Sequence, residues 1–221
     1  MLTVTIPVGP DRVYREYLQE CLDSLKHQSV PAKEVLLVDD MAHLEDWGLD
    51  YGSLPVRIHK NSWLCGCAHS FNFGVALARC ELVLMLGSDD RLHPWAIEDC
   101  VRAWREHEDP LGYYYCDVEY SDGETQGCAC NCAMVTKSLW RHCGGFPVQS
   151  SVGANDSILI SILLGQEGRA GHLIHVESAK PPFWYRRHNG SVTGKSGDMQ
   201  GPIFTVRDVL TRTWEKPTWT G

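Results

Sequence analysis

The sequence has no apolar run that approaches the roughly 18 residues needed to cross a bilayer as a helix. Its first residues, Met-Leu-Thr-Val-Thr-Ile-Pro, include no basic stretch of the kind that opens a secretion signal. These two absences predict a soluble, cytoplasmic protein without an export signal or a membrane span. The 221 residues have ordinary hydrophobic and charged fractions, so we expect a single folded domain.

Positive charge is scarce. The formal net charge is -8, which argues against general affinity for nucleic acid, because such affinity needs clustered Lys and Arg. Residues 180–195 form the best local basic strip, where Arg186, Arg187 and His188 follow three aromatic residues. A role for this strip in contacting phosphate is therefore left open.

The ten cysteines lack the spacing of a zinc site. Cys65 and Cys67 form one close group, and Cys128, Cys130 and Cys132 form another. Zinc ligands are usually separated by two or more residues, and alternate residues of a strand point to opposite faces. We therefore expect mostly buried thiols. A glycine-rich dinucleotide-binding motif is also absent.

Three apolar segments end at prominent polar or turn-forming residues. Residues 2–6 stop at Pro7, residues 34–38 run into Asp39 and Asp40, and residues 83–86 lead to Asp89 and Asp90. Central strands have this pattern, and open α/β sheets bind ligands at the carboxyl ends of their strands. A single Asp pair could cap a helix or lie in a solvated loop. Two pairs favour a pocket for a nucleotide, with or without a metal.

The order of predicted elements is typical of an α/β protein. Apolar residues at helical spacing over 11–30 predict a helix between the first two strands, which gives a βαβ unit and a Rossmann-like sheet. Further strands are predicted at 56–59, 113–120 and 133–135. Further helices are predicted at 70–79, from Pro94 to about Asp109, and at about 156–164.

The order of short motifs resembles glycosyltransferase family 2, whose members are inverting, nucleotide-sugar-dependent enzymes. The similar segments are residues 5–8, 17–25, 28–31, 36–40, 72–74 with Ala78 and Glu81, 88–92 with Pro94, 144–146, 155–156 and 185–193. The resemblance implies a GT-A fold, with a mostly parallel sheet flanked by helices. It places a glycosyltransferase domain at 1–195, with a donor lobe at about 1–92 and an acceptor lobe at about 93–195. Residues 196–221 would form a tail packing on this domain.

The resemblance also implies a donor site. Pro7 would lie against the base, Asp39 or Asp40 would accept a hydrogen bond from a base N–H, and Asn72 and Asp89 would belong to the same site. The donor would be a nucleotide diphosphate-sugar, with a UDP-sugar favoured. Mn²⁺ or Mg²⁺ would neutralise the diphosphate, because hard cations prefer oxygen ligands. Its ligands would be Asp89, Asp90 and His188, although a surface or phosphate-contact role for His188 is an alternative.

Asp156 is the candidate general base, because inverting transfer needs a carboxylate to deprotonate the acceptor hydroxyl. It follows the Gly-Gly-Phe loop and opens an apolar segment, where the family places its acidic base. The alternative is that Asn155 and Asp156 only cap a helix.

Three positions depart from the usual family pattern, which has Asp at the place of Gly87, Arg at Phe71 and Glu at Asn155. The first two departures remove a carboxylate and a partner for the diphosphate. A catalytically silent nucleotide-binding scaffold is therefore the alternative to an active enzyme. The expected acceptor is a glycan or small molecule, and a hydroxylated base in DNA is a further alternative. The oligomeric state is left open.

Overall fold

The computed structural model describes residues 2–146 and 172–188, with backbone alone for residues 127–131. Its strands are β1 (Leu2–Val8), β2 (Glu34–Asp39), β3 (Val56–Lys60), β4 (Leu82–Met85), β5 (Arg91–Leu92), β6 (Gly112–Tyr120), β7 (Thr125–Thr136), β8 (His172–His175) and β9 (Phe183–Tyr185). Its helices are α1 (Val13–Lys26), α2 (Cys67–Leu77), α3 (Ala96–His107) and α4 (Lys137–Cys143), with a short 3₁₀ helix at Leu44–Asp46.

The described strands form one sheet in the order β3-β2-β1-β4-β7-β6-β9-β5, and β8 pairs with β6 beside β9. Strands β3, β2, β1 and β4 are parallel to one another, whereas β7 runs antiparallel to both of its neighbours. The predicted α/β architecture with a mostly parallel sheet is confirmed. The short strands β5, β8 and β9 were not predicted, because segments of two to four residues carry no readable alternation.

Helices cover both faces of the sheet. Strands β1, β2 and β4 are buried at every residue, as expected for parallel strands between two helical layers. Leu18 and Leu22 of α1 share one apolar cluster with Ile97 of α3, and Val75 of α2 shares the other with Leu139 of α4. The predicted helix at 11–30 is therefore a surface helix whose apolar stripe fills one side of the core.

The boundaries of helices α3 and α2 differ from their predictions. Helix α3 begins at Ala96, two residues after Pro94, whose carbonyl accepts the Ser29 N–H at 2.8 Å and so belongs to a connecting turn. The helix ends at His107 because Glu108 adopts a left-handed conformation with φ of 49°. Helix α2 begins at Cys67, after Gly66, instead of at residue 70.

The described residues contain no helix that is both long and apolar enough to pass through a membrane.

Helix α2 approaches β1 at a glycine. A Cβ placed on Gly74 would lie 1.9 Å from the Thr5 Oγ1 atom and 2.9 Å from the Thr5 Cβ atom, well inside van der Waals contact. Both residues are buried, and the neighbouring Val75 packs in the core. The missing side chain thus sets how closely the helix lies against the sheet.

We predict that Gly74→Ala lowers the free energy of unfolding by about 1–3 kcal/mol, because the added methyl group must push α2 away from β1. Urea denaturation monitored by circular dichroism measures this change. Ala76→Ser, at an exposed position of the same helix, is the matched control and should leave the midpoint nearly unchanged. An unchanged midpoint for Gly74→Ala would contradict the tight contact.

Candidate functional site

The carboxyl ends of four parallel strands meet at one edge of the sheet. Pro7 pairs with Val38 near the end of β1, and Asp39 ends β2. Strand β4 ends at the same edge, and the loop that follows it carries Asp89 and Asp90. The prediction that these polar residues converge follows from the parallel pairing, and the structure brings them to this edge.

Asp39 is buried and holds the loop that follows it. Its carboxylate accepts hydrogen bonds from the backbone N–H groups of Ala42 at 2.7 Å, His43 at 3.1 Å and Leu44 at 3.0 Å. His43 has a positive φ of 58°, and the carboxylate holds the amides of this tight turn. Contact between Asp39 and a donor base stays a prediction.

Asp40 is also buried and holds a second loop, between β3 and α2. Its carboxylate accepts the backbone N–H groups of Cys65 and Gly66, each at 2.7 Å, and the Nδ2–H of Asn61 at 2.8 Å. The loop thus fixed exposes Trp63, of which 67% is accessible. Both carboxylates therefore shape the rim of the edge, and base contact by Asp40 likewise stays a prediction.

The loop that carries Asp89 and Asp90 meets the segment that carries His188, although nearly a hundred residues separate the acidic pair from the histidine in the sequence. The His188 Nε2 atom lies 2.9 Å from Asp89 Oδ2, and both side chains are mostly buried. The backbone N–H of Arg186 donates to Asp90 Oδ1 at 2.9 Å. The carboxyl-terminal segment that follows β9 is thus docked on the acidic loop.

The Arg186 side chain fastens this segment. Its Nε–H donates to the Asp89 carbonyl at 3.0 Å, and its Nη2–H donates to Glu20 on α1 at 2.6 Å. Its guanidinium lies 4.0 Å from the centre of the Tyr17 ring, and that ring contacts the His188 imidazole edge-on. The hydrogen bonds and the cation–π contact of Arg186, together with the ring contact of Tyr17, therefore hold His188 in its position.

Asp90 is a buried carboxyl beside another carboxyl. Burial raises its pKa well above the usual range, the charge of Asp89 raises it further, and Arg186 opposes the shift. Gly87 provides the space for this arrangement, because a Cβ there would lie 2.5 Å from Asp90 Oδ2 and 3.0 Å from Asp89 Oδ1. The glycine that departs from the family pattern is thus fitted to the acidic pair.

Asn72 lies under the Gly-Gly-Phe loop. Its Oδ1 accepts the Trp140 indole N–H at 3.1 Å and the Phe146 N–H at 2.9 Å, and its Nδ2–H donates to the Phe146 carbonyl at 3.0 Å. Gly145, with φ of 79°, has no room for a Cβ, which would lie 2.5 Å from Asn72 Oδ1. These bonds give Asn72 a positioning role, and its contact with a donor stays a prediction.

Phe71 packs edge-on against Phe146 at the border of the second apolar cluster. Arg187 pairs with Asp122 and Glu124, and Arg186 pairs with Glu20, so both arginines of the basic strip are bound to carboxylates of the chain. Asp156 and Asn155 lie outside the described residues, as does the tail at 196–221.

In the part of the chain that the structure describes, no three His, Cys, Asp or Glu side chains form a ready metal cluster. The pair formed by Asp89 and His188 still fits a cation that takes its remaining ligands from substrate phosphates and water, as Mg²⁺-type ions do. Imidazole suits Mn²⁺ better than Mg²⁺. The described cysteines form no disulfide with one another.

Sequence reasoning missed three contributors to this edge. Tyr17 and Glu20 lie in the segment 17–25 that resembles the family but have no predicted role, and Asn61 lies outside the predicted site. A polar residue directly after a strand, as Asn61 is after β3, was the available signal. Tyr17 and Glu20 gave no comparable signal, because only the docking of Arg186 makes that exposed face of α1 part of the site.

Solved structures share this architecture. S. aureus TarS 1-349 in complex with UDP-GlcNAc superposes with a TM-score of 0.70 at 16% identity, over 88% of this chain and 61% of that one. The complex with UDP gives 0.65 at 17% identity, over 85% and 61%. The chain thus spans about three fifths of those structures. The likeness identifies the fold as GT-A.

The sequence model described as glycosyl transferase family 2 matches residues 11–131, more than half of the chain. The chain therefore belongs to glycosyltransferase family 2, and the predicted family is confirmed. No curated protein sequence matches it.

We predict that Asp90→Asn raises the unfolding midpoint of the metal-free protein at pH 7. Because the folded-state pKa of Asp90 is raised, its favourable contribution is complete below its usual pKa and is lost as the pH rises through the folded value. Removing the buried carboxyl should therefore stabilise the protein at pH 7 and stabilise it much less near pH 4.

Thermal unfolding in the presence of a chelator, at both pH values, measures this difference. Asp117→Asn, a surface change on β6, is the control and should show no such gain. A lower midpoint for Asp90→Asn at pH 7 would mean that the carboxylate stabilises the fold.

Proposed function

We propose that this chain is an inverting glycosyltransferase that moves a sugar from a nucleotide diphosphate-sugar, a UDP-sugar in the first instance, to an acceptor hydroxyl. The observation that carries the proposal is the convergence of Asp89, Asp90 and His188 at the carboxyl edge of a GT-A sheet in a family 2 chain. TarS, which has the same fold, was crystallised with UDP-GlcNAc and with UDP.

In this proposal the donor occupies the edge formed by β1, β2 and β3. Pro7 lies against the base, while Asp39 and Asp40 hold the two loops that flank it. Asp89 serves the sugar-diphosphate end, and Asn72 holds the floor of the site through the loop at 144–146. Residues 1–92 then act as the donor lobe and residues 93–195 as the acceptor lobe.

Mn²⁺ or Mg²⁺ is the proposed cofactor, with Asp89, Asp90 and His188 as its protein ligands. When bound, the cation supplies positive charge to the departing diphosphate. Arg186 keeps the carboxyl-terminal segment on the acidic loop through Glu20 and Tyr17, and thereby holds His188 close to Asp89.

Asp156 is the proposed general base. It would take the proton from the acceptor hydroxyl as that oxygen attacks the anomeric carbon, and the diphosphate would leave from the opposite face. Attack opposite to the leaving group inverts the anomeric configuration.

The proposed acceptor is a glycan or a small molecule. The described arginines next to the site are tied to carboxylates of the same chain, Arg186 to Glu20 and Arg187 to Asp122 and Glu124. Together with a net charge of -8, the pairing of these arginines favours an acceptor other than DNA.

The first test is the thermal stability of the full chain with UDP-, GDP-, TDP- and CDP-sugars, with and without Mn²⁺. A ligand at about 100 times its Kd stabilises the folded state by about 2.7 kcal/mol, so binding raises the midpoint. We expect a Mn²⁺-dependent rise with one nucleotide, which Asp89→Asn removes and the surface change Glu106→Gln preserves. No rise with any donor would overturn the proposal.

We predict that Asp156→Asn leaves donor binding nearly intact and lowers the transfer rate by on the order of 10²-fold or more, because the acceptor proton loses its base. Single-turnover transfer and the midpoint shift with donor measure the two effects separately. Asn155→Ala is the matched neighbouring change. Unchanged transfer in Asp156→Asn would leave Asp156 only a capping role.

A further inference from the structure

Strand β3 is the end strand of the described sheet, and among the described strands it pairs only with β2. The backbone groups of successive residues in a strand point alternately to its two sides. The Pro55 carbonyl accepts a hydrogen bond from β2 at 3.0 Å, and the Asn61 N–H donates one to β2 at 2.9 Å. The residues that turn their N–H and C=O groups away from the sheet are therefore Val56, Ile58 and Lys60.

This outer edge of β3 is open in the described part of the chain. The Val56 N–H donates to the Leu54 carbonyl at 2.8 Å, but the Val56 carbonyl and the outward groups of Ile58 and Lys60 make no backbone hydrogen bond with the described residues. Open edges pair with further strands unless a proline, a bulge or a charge prevents it. Residues 56–60 contain no proline, and their pairing with β2 has no bulge.

Apolar side chains surround this edge. The large hydrophobic residues that the structure shows as exposed all lie between positions 41 and 77, and they are Met41, Ile58, Trp63, Leu64 and Leu77. Helix α2, which has no Asp, Glu, Lys or Arg, lies beside β3. The Arg57 Nη2–H donates to the Leu77 carbonyl at 2.8 Å, and the ring centres of His59 and Phe73 are 5.8 Å apart. Clustered exposed apolar residues indicate a contact with another molecule.

The charges at this surface favour a second copy of the same chain as that molecule. Residues 51–80 contain no Asp or Glu, although the whole chain has a net charge of -8. Their three cationic side chains pair with carboxylates of the same chain, Arg57 and Arg79 with Glu34 and Lys60 with Glu45. Two such surfaces can meet without opposing like charges, whereas an anionic partner would find these cations already paired.

We propose that two copies of this chain associate through β3, with the two strands antiparallel and paired about Ile58. In this register Ile58 exchanges two hydrogen bonds with Ile58 of the second copy. Each Lys60 N–H donates to the Val56 carbonyl of the other copy. These four bonds use only backbone groups that the described chain leaves unpaired, and the Val56 N–H keeps its bond within its own turn.

The two-fold symmetry of this pairing also brings apolar side chains together on both faces of the joined sheet. Arg57 and His59 contact α2, so Ile58 points to the opposite face and meets Ile58 of the second copy there. On the first face, α2 lies beside α2 of the second copy, with Leu77 at the contact. Antiparallel pairing directs the carboxyl edges of the two sheets in opposite directions. Association therefore leaves both donor edges open and does not depend on the proposed function.

The first test is the molar mass of the full chain by sedimentation equilibrium, from about 1 μM to about 100 μM. A reductant is included so that the exposed Cys67 thiol cannot link the copies. We expect the mass of two chains. Ile58→Lys sets two ammonium groups against each other at the two-fold axis and removes apolar contact, so it should weaken association at least about tenfold.

Thr125→Lys is the matched control, because it adds the same charge at an exposed position on β7, four strands away from β3. It should keep the mass of two chains. If Ile58→Lys does not fold, Leu77→Lys places the charge on the exposed face of α2 and should weaken association in the same way.

The second test needs no variant. Amide hydrogen exchange of the unmodified chain reports on the outward N–H groups of Ile58 and Lys60, which exchange slowly only when they are bonded. We expect their exchange to slow as the protein concentration rises, while that of the Val56 N–H stays constant.

Three results would overturn the proposal. One is the mass of a single chain at every concentration, and another is a dimer that Ile58→Lys and Leu77→Lys leave intact. The third is slow exchange of the Ile58 and Lys60 amides that does not change with concentration, because their partner would then be a segment of the same chain. None of these results bears on donor binding, so the proposed function is tested separately.

Discussion

The burial of carboxylates at one edge of the sheet is the constraint on which the site depends. Asp39, Asp40 and Asp90 are each 5% exposed or less, and a buried charge is costly unless hydrogen bonds compensate it. The backbone supplies that compensation by turning N–H groups inward after β2, after β3 and after β9. The loops around the edge therefore take their shape from the acids that they enclose.

The same constraint joins distant parts of the chain. Helix α1 contributes Glu20 and Tyr17, the loop after β4 contributes Asp89 and Asp90, and the segment after β9 contributes Arg186. Arg186 has partners in both of the other parts, so its guanidinium orders the three against one another. His188 is positioned by this contact and not by an element of its own.

The sequence predicted the parallel half of the fold well, because β1, β2 and β4 are apolar throughout and end in residues that break the pattern. It also predicted that Asp89 and His188 belong to one site, through the order of the family motifs. It could not predict that Asn61 donates to Asp40 or that Arg186 holds the segment after β9 on the acidic loop. These contacts depend on which hydrogen bonds Asp40 and Asp90 accept in the folded chain, and residue spacing along the sequence does not determine them.

Glycines explain why two family motifs have the form they have here. Gly145 has positive φ and lies against Asn72, so the Gly-Gly-Phe loop is fixed from below by an amide. Gly87 stands where the family usually has a carboxylate, and the space above it is taken by the Asp90 side chain. The loop therefore still carries two carboxyl groups, those of Asp89 and Asp90.

The charges at the described edge bear on the proposed metal dependence. Phe71 stands where the family has an arginine, and it is packed against Phe146, so it offers nothing to a diphosphate. The guanidinium of Arg186 is paired with Glu20, and Asp89 adds a carboxylate beside Asp90. The carboxylate of Asp89 would repel a diphosphate brought to this edge. A divalent ion held by Asp89 and His188 is the compensation that the chemistry of these residues allows, which ties the proposed metal dependence to the loss of the arginine at position 71.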